Sequence, residues 1–411
     1  MALRRRARRL WRYLRAEQRT LRQGLVALVL STCASFVAGL TLSSITHTLN
    51  LLPGLLVLIP AAVGMRGTIF GAIGARLGTA SHAGTLEVAL RRGSVLYDNV
   101  YVGVLTTFSS SLWLAVLAKL ATAAFGQTSV SIWDLITISV VGGALGSVFI
   151  LLVTIGLSVL SYRKGYDLDA VSTPMVTALG DMVTLPTLFL ATFLTRNDTL
   201  NAVVAGVCLV TCAYAIVRSI TIDLKAVRRI VLEMTAVILL TPVLDILAGG
   251  LLQANLVGLS ALPGLLLLIP PFVSQAGALG GILSSRLSSK LQLGVITARG
   301  LPEAPALVDA SLVFISGVAV FTFIGVVGLG LAGAFDKAHP AGSIMIGGTV
   351  LAGLLALPIT IVIGYYLAIV TWRFGLDPDN HGVPIITSVM DLAGVACILI
   401  AMGVLGVAIH G

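Results

Sequence analysis

Apolar residues fill most of the chain in long uninterrupted runs, separated by short clusters of Gly, Pro and charged residues. A helix needs about 20 apolar residues to cross the hydrocarbon core of a bilayer. The runs predict spans near 24–48, 52–80, 98–123, 132–162, 171–195, 199–217, 228–252, 262–288, 309–335, 342–372 and 382–409. Because backbone polar groups must be paired inside each segment in lipid, these runs read as helices. The expected fold class is an all-α polytopic membrane protein of about eleven transmembrane helices.

The pattern repeats. GYDLDAVSTPMVTALGDM at 165–182 returns as GLDPDNHGVPIITSVMDL at 375–392, so that Asp167, Asp169, Pro174, Thr177 and Asp181 match Asp377, Asp379, Pro384, Thr387 and Asp391 at a constant offset of 210. Residues 51–84 align without a gap on 261–294 at the same offset, keeping Pro53/Pro263, Pro60/Pro270, Gly67/Gly277, Gly71/Gly281 and Arg76/Arg286. Agreement at this many positions implies an internal duplication. The domain reading is a basic tail at 1–22, a first membrane repeat at 23–197, a linker helix at 198–224 and a second repeat at 225–411. Five spans per repeat would leave the second copy inverted, and the single linker crossing restores its direction. The repeats are therefore expected to be parallel, about a pseudo-two-fold axis along the membrane normal.

Composition agrees with the pattern: 57% of residues are hydrophobic and 10% charged, with a mean hydropathy of +1.04, whereas soluble domains carry about 25% charged residues. The net charge of +9 is concentrated, since nine arginines from Arg4 to Arg22 precede the first span. Such a stretch beside a span orients the protein and touches anionic lipid, which argues against a nucleic-acid partner. Arg91, Arg92, Arg163, Lys164, Arg218, Lys225, Arg228, Arg229, Lys290, Arg299 and Arg373 fall on the same side as that tail, against Lys119, Arg196 and Lys337 opposite. The expected location is the plasma or inner membrane, with the N-terminus cytoplasmic and the C-terminus outside. Cys33, Cys208, Cys212 and Cys397 lie in apolar runs without metal-site spacing and read as packing residues.

Each Pro of the duplicated motif can open a helix, and Thr and Asp three and seven residues later share one face of it. The Asp then lies roughly 10 Å beyond the Pro. An ionisable side chain at such a depth costs about 2.5–3.5 kcal/mol on insertion scales, and its default reading is an ion or proton pathway. The second spans, holding Pro60, Gly64 and Gly67 in one copy and Pro270, Gly277 and Gly281 in the other, are expected to be broken helices whose freed carbonyls face the pathway.

The two blocks resemble the MgtE-type magnesium channels and transporters, and the fused pair resembles solute carrier family 41. Asp377, Pro378, Pro384, Thr387 and Asp391 keep the full fifth-span signature, whereas the first copy has Leu168 in place of the Pro. The family's Asn after Gly is Thr68 in one copy and Ala278 in the other, and the regulatory domains of bacterial relatives have no counterpart in this sequence. The resemblance implies transport of a divalent cation, Mg2+ first and other divalent ions as alternatives, through a two-fold pathway that a monomer can supply.

Two carboxylates on a common axis cannot both stay ionised in poor solvent unless a cation or proton intervenes. Mg2+ takes oxygen ligands and keeps part of its water shell, so Asp181, Asp391, Thr177 and Thr387 are the expected ligands. Asp167, Asp169, Asp377 and Asp379 form its mouth or cap helix starts, and Asp98, Asp245 and Asp309 are further pathway candidates. Arg66 and Asp245, unmatched in the other copy, are expected to neutralise one another. Competing readings are an exchanger coupled to sodium or protons, an organic-anion transporter suggested by Arg66, and an intramembrane aspartyl protease. The last would need neither the Thr nor the duplicated second span, so no enzymatic activity is expected.

Overall fold

The computed structural model describes residues 18–82, 89, 91–164, 168–222, 224–376 and 381–407. Within them the first repeat comprises α1 (Gln18–Ser44), the short α2 (Thr46–Leu51), α3 (Leu55–His82), α4 (Val95–Ala124), α5 (Ile132–Lys164) and α6 (Leu168–Ala191). The linker helix is α7 (Asp198–Thr221), and the second repeat comprises α8 (Lys225–Ala254), the short α9 (Leu256–Ala261), α10 (Pro263–Gln292), α11 (Ala304–Ala334), α12 (Gly342–Phe374) and α13 (Val383–Val404). Eleven of these are long and apolar enough to cross a membrane. The offset of 210 survives in three dimensions: α2 and α9, and likewise α5 and α12, begin and end at equivalent residues.

Local chemistry sets the ends. The Ser94 hydroxyl accepts from the Tyr97 amide at 3.2 Å to start α4, and Asn197 Oδ1 accepts from the Leu200 amide at 3.1 Å to start α7, each satisfying a first-turn donor. Pro263, Pro305 and Pro384 occupy first-turn positions of α10, α11 and α13, where a missing amide is harmless. α12 ends on Gly375 at φ 62°. Inside the helices, buried hydroxyls of Thr106, Thr122 and Thr360 donate back to carbonyls four residues earlier, so they add no unpaired donor to an apolar interior.

The second spans do not break where expected. Pro60 lies inside an unbroken α3, and Pro270 and Pro271 inside an unbroken α10. The interruption falls earlier, at the turns that separate α2 from α3 and α9 from α10, the first of which uses Gly54 at φ 89°. A proline inside a spanning helix removes one amide, which membrane helices tolerate.

α3 and α10 form the centre, with Leu55, Leu56, Val57 and Leu58 in one and Leu265, Leu266, Leu267 and Leu268 in the other all buried. Each packs on the fifth long helix of its own repeat, α6 or α13, and on the first helix of the opposite repeat: α1 crosses α10, and α8 crosses α3. The first helices are thus exchanged. Both crossings are backbone to backbone, because a Cβ at Gly39 would collide with the Leu267 carbonyl oxygen and a Cβ at Gly249 with that of Val57. α7 packs outside against α4 and α5, held by Asn201, which accepts from Thr137 and donates to Asp134, both at 2.6 Å. Its opposite face exposes Val203, Val207, Val210, Tyr214 and Ile220, as a lipid-facing helix should.

Candidate functional site

The exchange of first helices puts three carboxylates at mid-depth on the seam between the repeats. On one side Asp181 of α6, 5% exposed, accepts a hydrogen bond at 2.9 Å from Ser35 of α1 and has Ser274 of α10 in the opposite repeat beside it. On the other side Asp391 of α13 lies against Asp245 of α8. Ser388 of α13 also reaches Asp245, and Gly64 of α3 closes the arrangement from the opposite repeat. Asp181 is near enough for its charge to act on Asp391.

The two sides are related by the duplication, since Ser35 corresponds to Asp245 and Gly64 to Ser274 at the common offset. Where the first helix carries a serine, the facing second helix carries a serine. Where it carries an aspartate, the facing residue is glycine. A Cβ at Gly64 would stand 2.8 Å from Asp245 Oδ2 and 3.4 Å from Asp391 Oδ2, so the missing side chain makes room for the extra carboxylate.

Asp245 is fully buried, yet neither of its oxygens finds a well-formed hydrogen bond among the described residues. The expected partner, Arg66, is turned elsewhere. Its Nη1 donates to the Ala62 carbonyl at 2.6 Å, and the guanidinium lies beside Gly143 and Gly146 of α5, next to Ser111 and Thr187. The expected Arg66–Asp245 pair is therefore absent. In the second repeat Ala276 replaces Arg66 and Phe321 replaces Ser111, and the Phe321 ring fills the space before Gly353.

Thr387 stands on the same helix as Asp391, but its hydroxyl donates to the Val383 and Pro384 carbonyls at 3.1 and 2.9 Å. Only its lone pairs remain for a ligand. Gly277 packs on Thr387, Gly67 on Gly180 and Gly281 on Val383, so these glycines seat the second span against the fifth, whereas Gly64 alone of the group faces the acids. The side chains of Thr177 and Asp169, and all of Asp167, Asp377 and Asp379, lie outside the described residues.

Asp309 and Asp98 are apart from the seam, at the starts of α11 and α4. Asp309 is bound by Lys290 at 2.5 Å and by Arg286 at 3.3 Å, which accounts for its charge. Its equivalent in the first repeat is Asn99, not Asp98, and Asn99 Oδ1 accepts from Arg76 Nε at 2.9 Å. Asp98 is buried in the first turn of α4 and accepts from the Gly93 backbone. Among the described residues no group of three or more His, Cys, Asp or Glu is arranged as a closed metal site. Oxygen donors spread along a seam can do something different: they can offer partial coordination to a cation that keeps some of its water.

Ser35, Ser274 and Ser388 did not emerge from the sequence. The correlated exchange of Ser/Asp at 35 and 245 with Gly/Ser at 64 and 274 is the signal that could have found the first two; Ser388, opposite Ala178, left none.

Comparison with known proteins agrees with the duplication. The model of the MgtE family, described as divalent cation transporter, matches residues 59–191 and again 269–401. Solute carrier family 41 member 3 of Rattus norvegicus is 23% identical over 394 residues, covering 90% of this chain and 84% of the relative. Solute carrier family 41 member 3 of Mus musculus is 25% identical, covering 87% and 77%. Solute carrier family 41 member 2 of Xenopus laevis is 24% identical, covering 93% and 71%. No solved structure matches the chain.

Proposed function

Because this chain belongs to the MgtE family of divalent cation transporters, we propose that it carries Mg2+ across the membrane along the seam between its two repeats, past Asp181 and Asp391. The family is one of transporters, so a protease reading of the paired aspartates is set aside. The observation that carries the proposal is the placement of the twin aspartates: each lies midway along its helix and faces a second span from the opposite repeat. A cation at that level meets both copies at once.

The chemistry favours a hard divalent ion. Carboxylate and hydroxyl oxygens line the seam, whereas Cys208 and Cys212 are buried in α7, which packs outside against α4 and α5. Mg2+ sheds its water reluctantly and uses one or two carboxylates beside retained waters, which matches oxygen donors that do not close into a cage. The mean charge on the seam also matters: three buried carboxylates without a described arginine or lysine partner attract cations and repel anions. Transport of an organic anion has no such support, since Arg66 faces the interior of the first repeat.

In this reading one chain supplies both halves of the pathway, and the basic tail and basic loops hold the N-terminus in the cytoplasm of a cell whose plasma or inner membrane houses the protein. Thr387 stands one turn before Asp391 on α13, and its hydroxyl lone pairs add an oxygen to the approach. Flux of Mg2+ into liposomes containing the purified protein tests the proposal. Asp181→Asn and Asp391→Asn should each lower it at least about tenfold with normal incorporation; wild-type flux in both removes the assignment.

A further inference from the structure

We propose that Asp245 and Asp391 form a two-carboxylate cation site on one side of the seam, and that Asp245 sets how tightly the divalent ion is held. The opposite side offers one carboxylate, Asp181, with the Ser35 and Ser274 hydroxyls already donating to it. The inference rests on reading the seam as the cation pathway.

Three observations carry it. Asp245 is 0% exposed; Ser388 and Asp391 of its own repeat stand beside it, but no donor of the described residues meets either oxygen within hydrogen-bond geometry, although a buried carboxylate ordinarily has its lone pairs satisfied. The space in front of it is kept open by Gly64, where a Cβ would approach both Asp245 Oδ2 and Asp391 Oδ2. Finally, no ion pair of the described residues includes Asp245 or Asp391, and Arg66 donates elsewhere. A buried charge is costly unless paired, so two adjacent carboxylates that lack a protein cation must share a proton or take up a cation from outside, and the space kept open before Gly64 is what a cation needs.

The duplication sharpens this. The first repeat shows what the position looks like without the second carboxylate: Ser35 donates to Asp181 and Ser274 faces it. The Asp side exchanges that serine for a second carboxylate with Ser388 beside it, and what it gains is negative charge. Two carboxylates balance the charge of one divalent ion and hold it more tightly than one, since ligand charge is what tunes affinity among oxygen sites. Without the ion the pair is neutralised only by a shared proton, and where both carboxylates are ionised they repel each other. The two sides of the seam then form a strong and a weak station for the same ion.

The test uses the full chain in lipid nanodiscs and liposomes, with Mg2+ as the probe. Wild type, Asp245→Asn, Asp245→Ser and Asp391→Asn are compared for thermal unfolding in EDTA, for the stabilisation produced by Mg2+, and for the Mg2+ concentration giving half-maximal uptake. Asp245→Ser places there the residue that the first repeat carries at Ser35. In EDTA at alkaline pH, where both carboxylates are ionised, both 245 variants should unfold at a higher temperature than wild type, because carboxylate repulsion is relieved. They should also gain less from Mg2+ and need about tenfold more of it for half-maximal uptake. A purely structural role predicts the opposite sign in EDTA. Unchanged half-saturation with unchanged stabilisation by Mg2+ overturns the proposal.

If the 245 variants do not accumulate, Ser35→Asp with Ser274→Gly builds the same pair beside Asp181; it should lower the half-saturating concentration, and no change overturns the proposal. Loss of uptake in Asp391→Asn beside unaltered 245 variants removes this inference and leaves the pathway reading standing. Normal uptake in both Asp391→Asn and Asp181→Asn removes both.

Discussion

Asp245 and Asp391 come from the first and fifth long helices of one repeat and meet in front of Gly64, a residue of the other repeat whose absent Cβ would stand 2.8 Å from Asp245 Oδ2. The relationship exists only because the first helices are exchanged, so that α8 lies on α3 while α1 lies on α10. Each half of the seam is thus assembled from both copies. A duplicated chain that folded as two separate five-helix units would not bring Gly64 before the two carboxylates.

The exchange depends on two close backbone crossings. A Cβ at Gly249 would meet the Val57 carbonyl, and one at Gly39 the Leu267 carbonyl. Gly249→Ala should destabilise the protein by about 1–3 kcal/mol through overpacking, and Gly249→Leu by more, read as a lowered unfolding temperature of the detergent-solubilised chain. Gly347, which has open space around its Cβ position, provides the control: Gly347→Ala should leave that temperature unchanged or slightly raised.

Asp309 has a different task from the seam aspartates. Lys290 and Arg286 surround it, with side chains 16% and 22% exposed. Removing the carboxylate takes from two partly solvated cations the charge that faces them, so Asp309→Leu should cost about 3 kcal/mol, the low end for a broken buried pair. Asp309→Asn should cost less, because the first repeat already uses Asn99 against Arg76. In both variants the folded fraction should keep the wild-type half-saturation for Mg2+ in uptake assays. A raised half-saturation would place Asp309 on the ion's route.

Much of this architecture was legible in the chain. The eleven spans, the offset of 210 and the basic loops follow from apolar runs and repeated residues, because a helix in lipid must be both long and apolar. Mid-span acids at 181 and 391 were legible for the same reason. Two things were not. Pro60 and Pro270 suggested broken helices, but proline only removes one amide, and the surrounding helices accommodate it. Asp245 suggested a partner in Arg66 because both are unmatched charges, yet which helix faces which is decided by packing between repeats, and a one-dimensional pattern does not contain the exchange of α1 and α8.

Arg66 supplies a further prediction. Its guanidinium and Ser111 occupy, beside Gly143, the space that Ala276 and Phe321 occupy beside Gly353 in the other repeat, where Phe321 packs on Phe272 with ring centroids 4.6 Å apart. Arg66→Ala alone should open a cavity and cost about 2–5 kcal/mol. Adding Ser111→Phe should recover much of that loss, as a double-mutant cycle of unfolding temperatures would register. Exchanging the charges of Arg66 and Asp245 should rescue nothing.

The location of the ion itself decides the central claim that divalent cations pass between the repeats at the paired aspartates. Mn2+ substitutes for Mg2+ at oxygen sites and scatters anomalously, so crystals of the full chain grown with Mn2+ would show it directly. The structure predicts an anomalous peak on the seam at the level of Asp181, Asp245 and Asp391, lost in Asp391→Asn. Peaks confined to the Asp309 or Asp98 ends of the bundle, with none at the seam, would contradict the account.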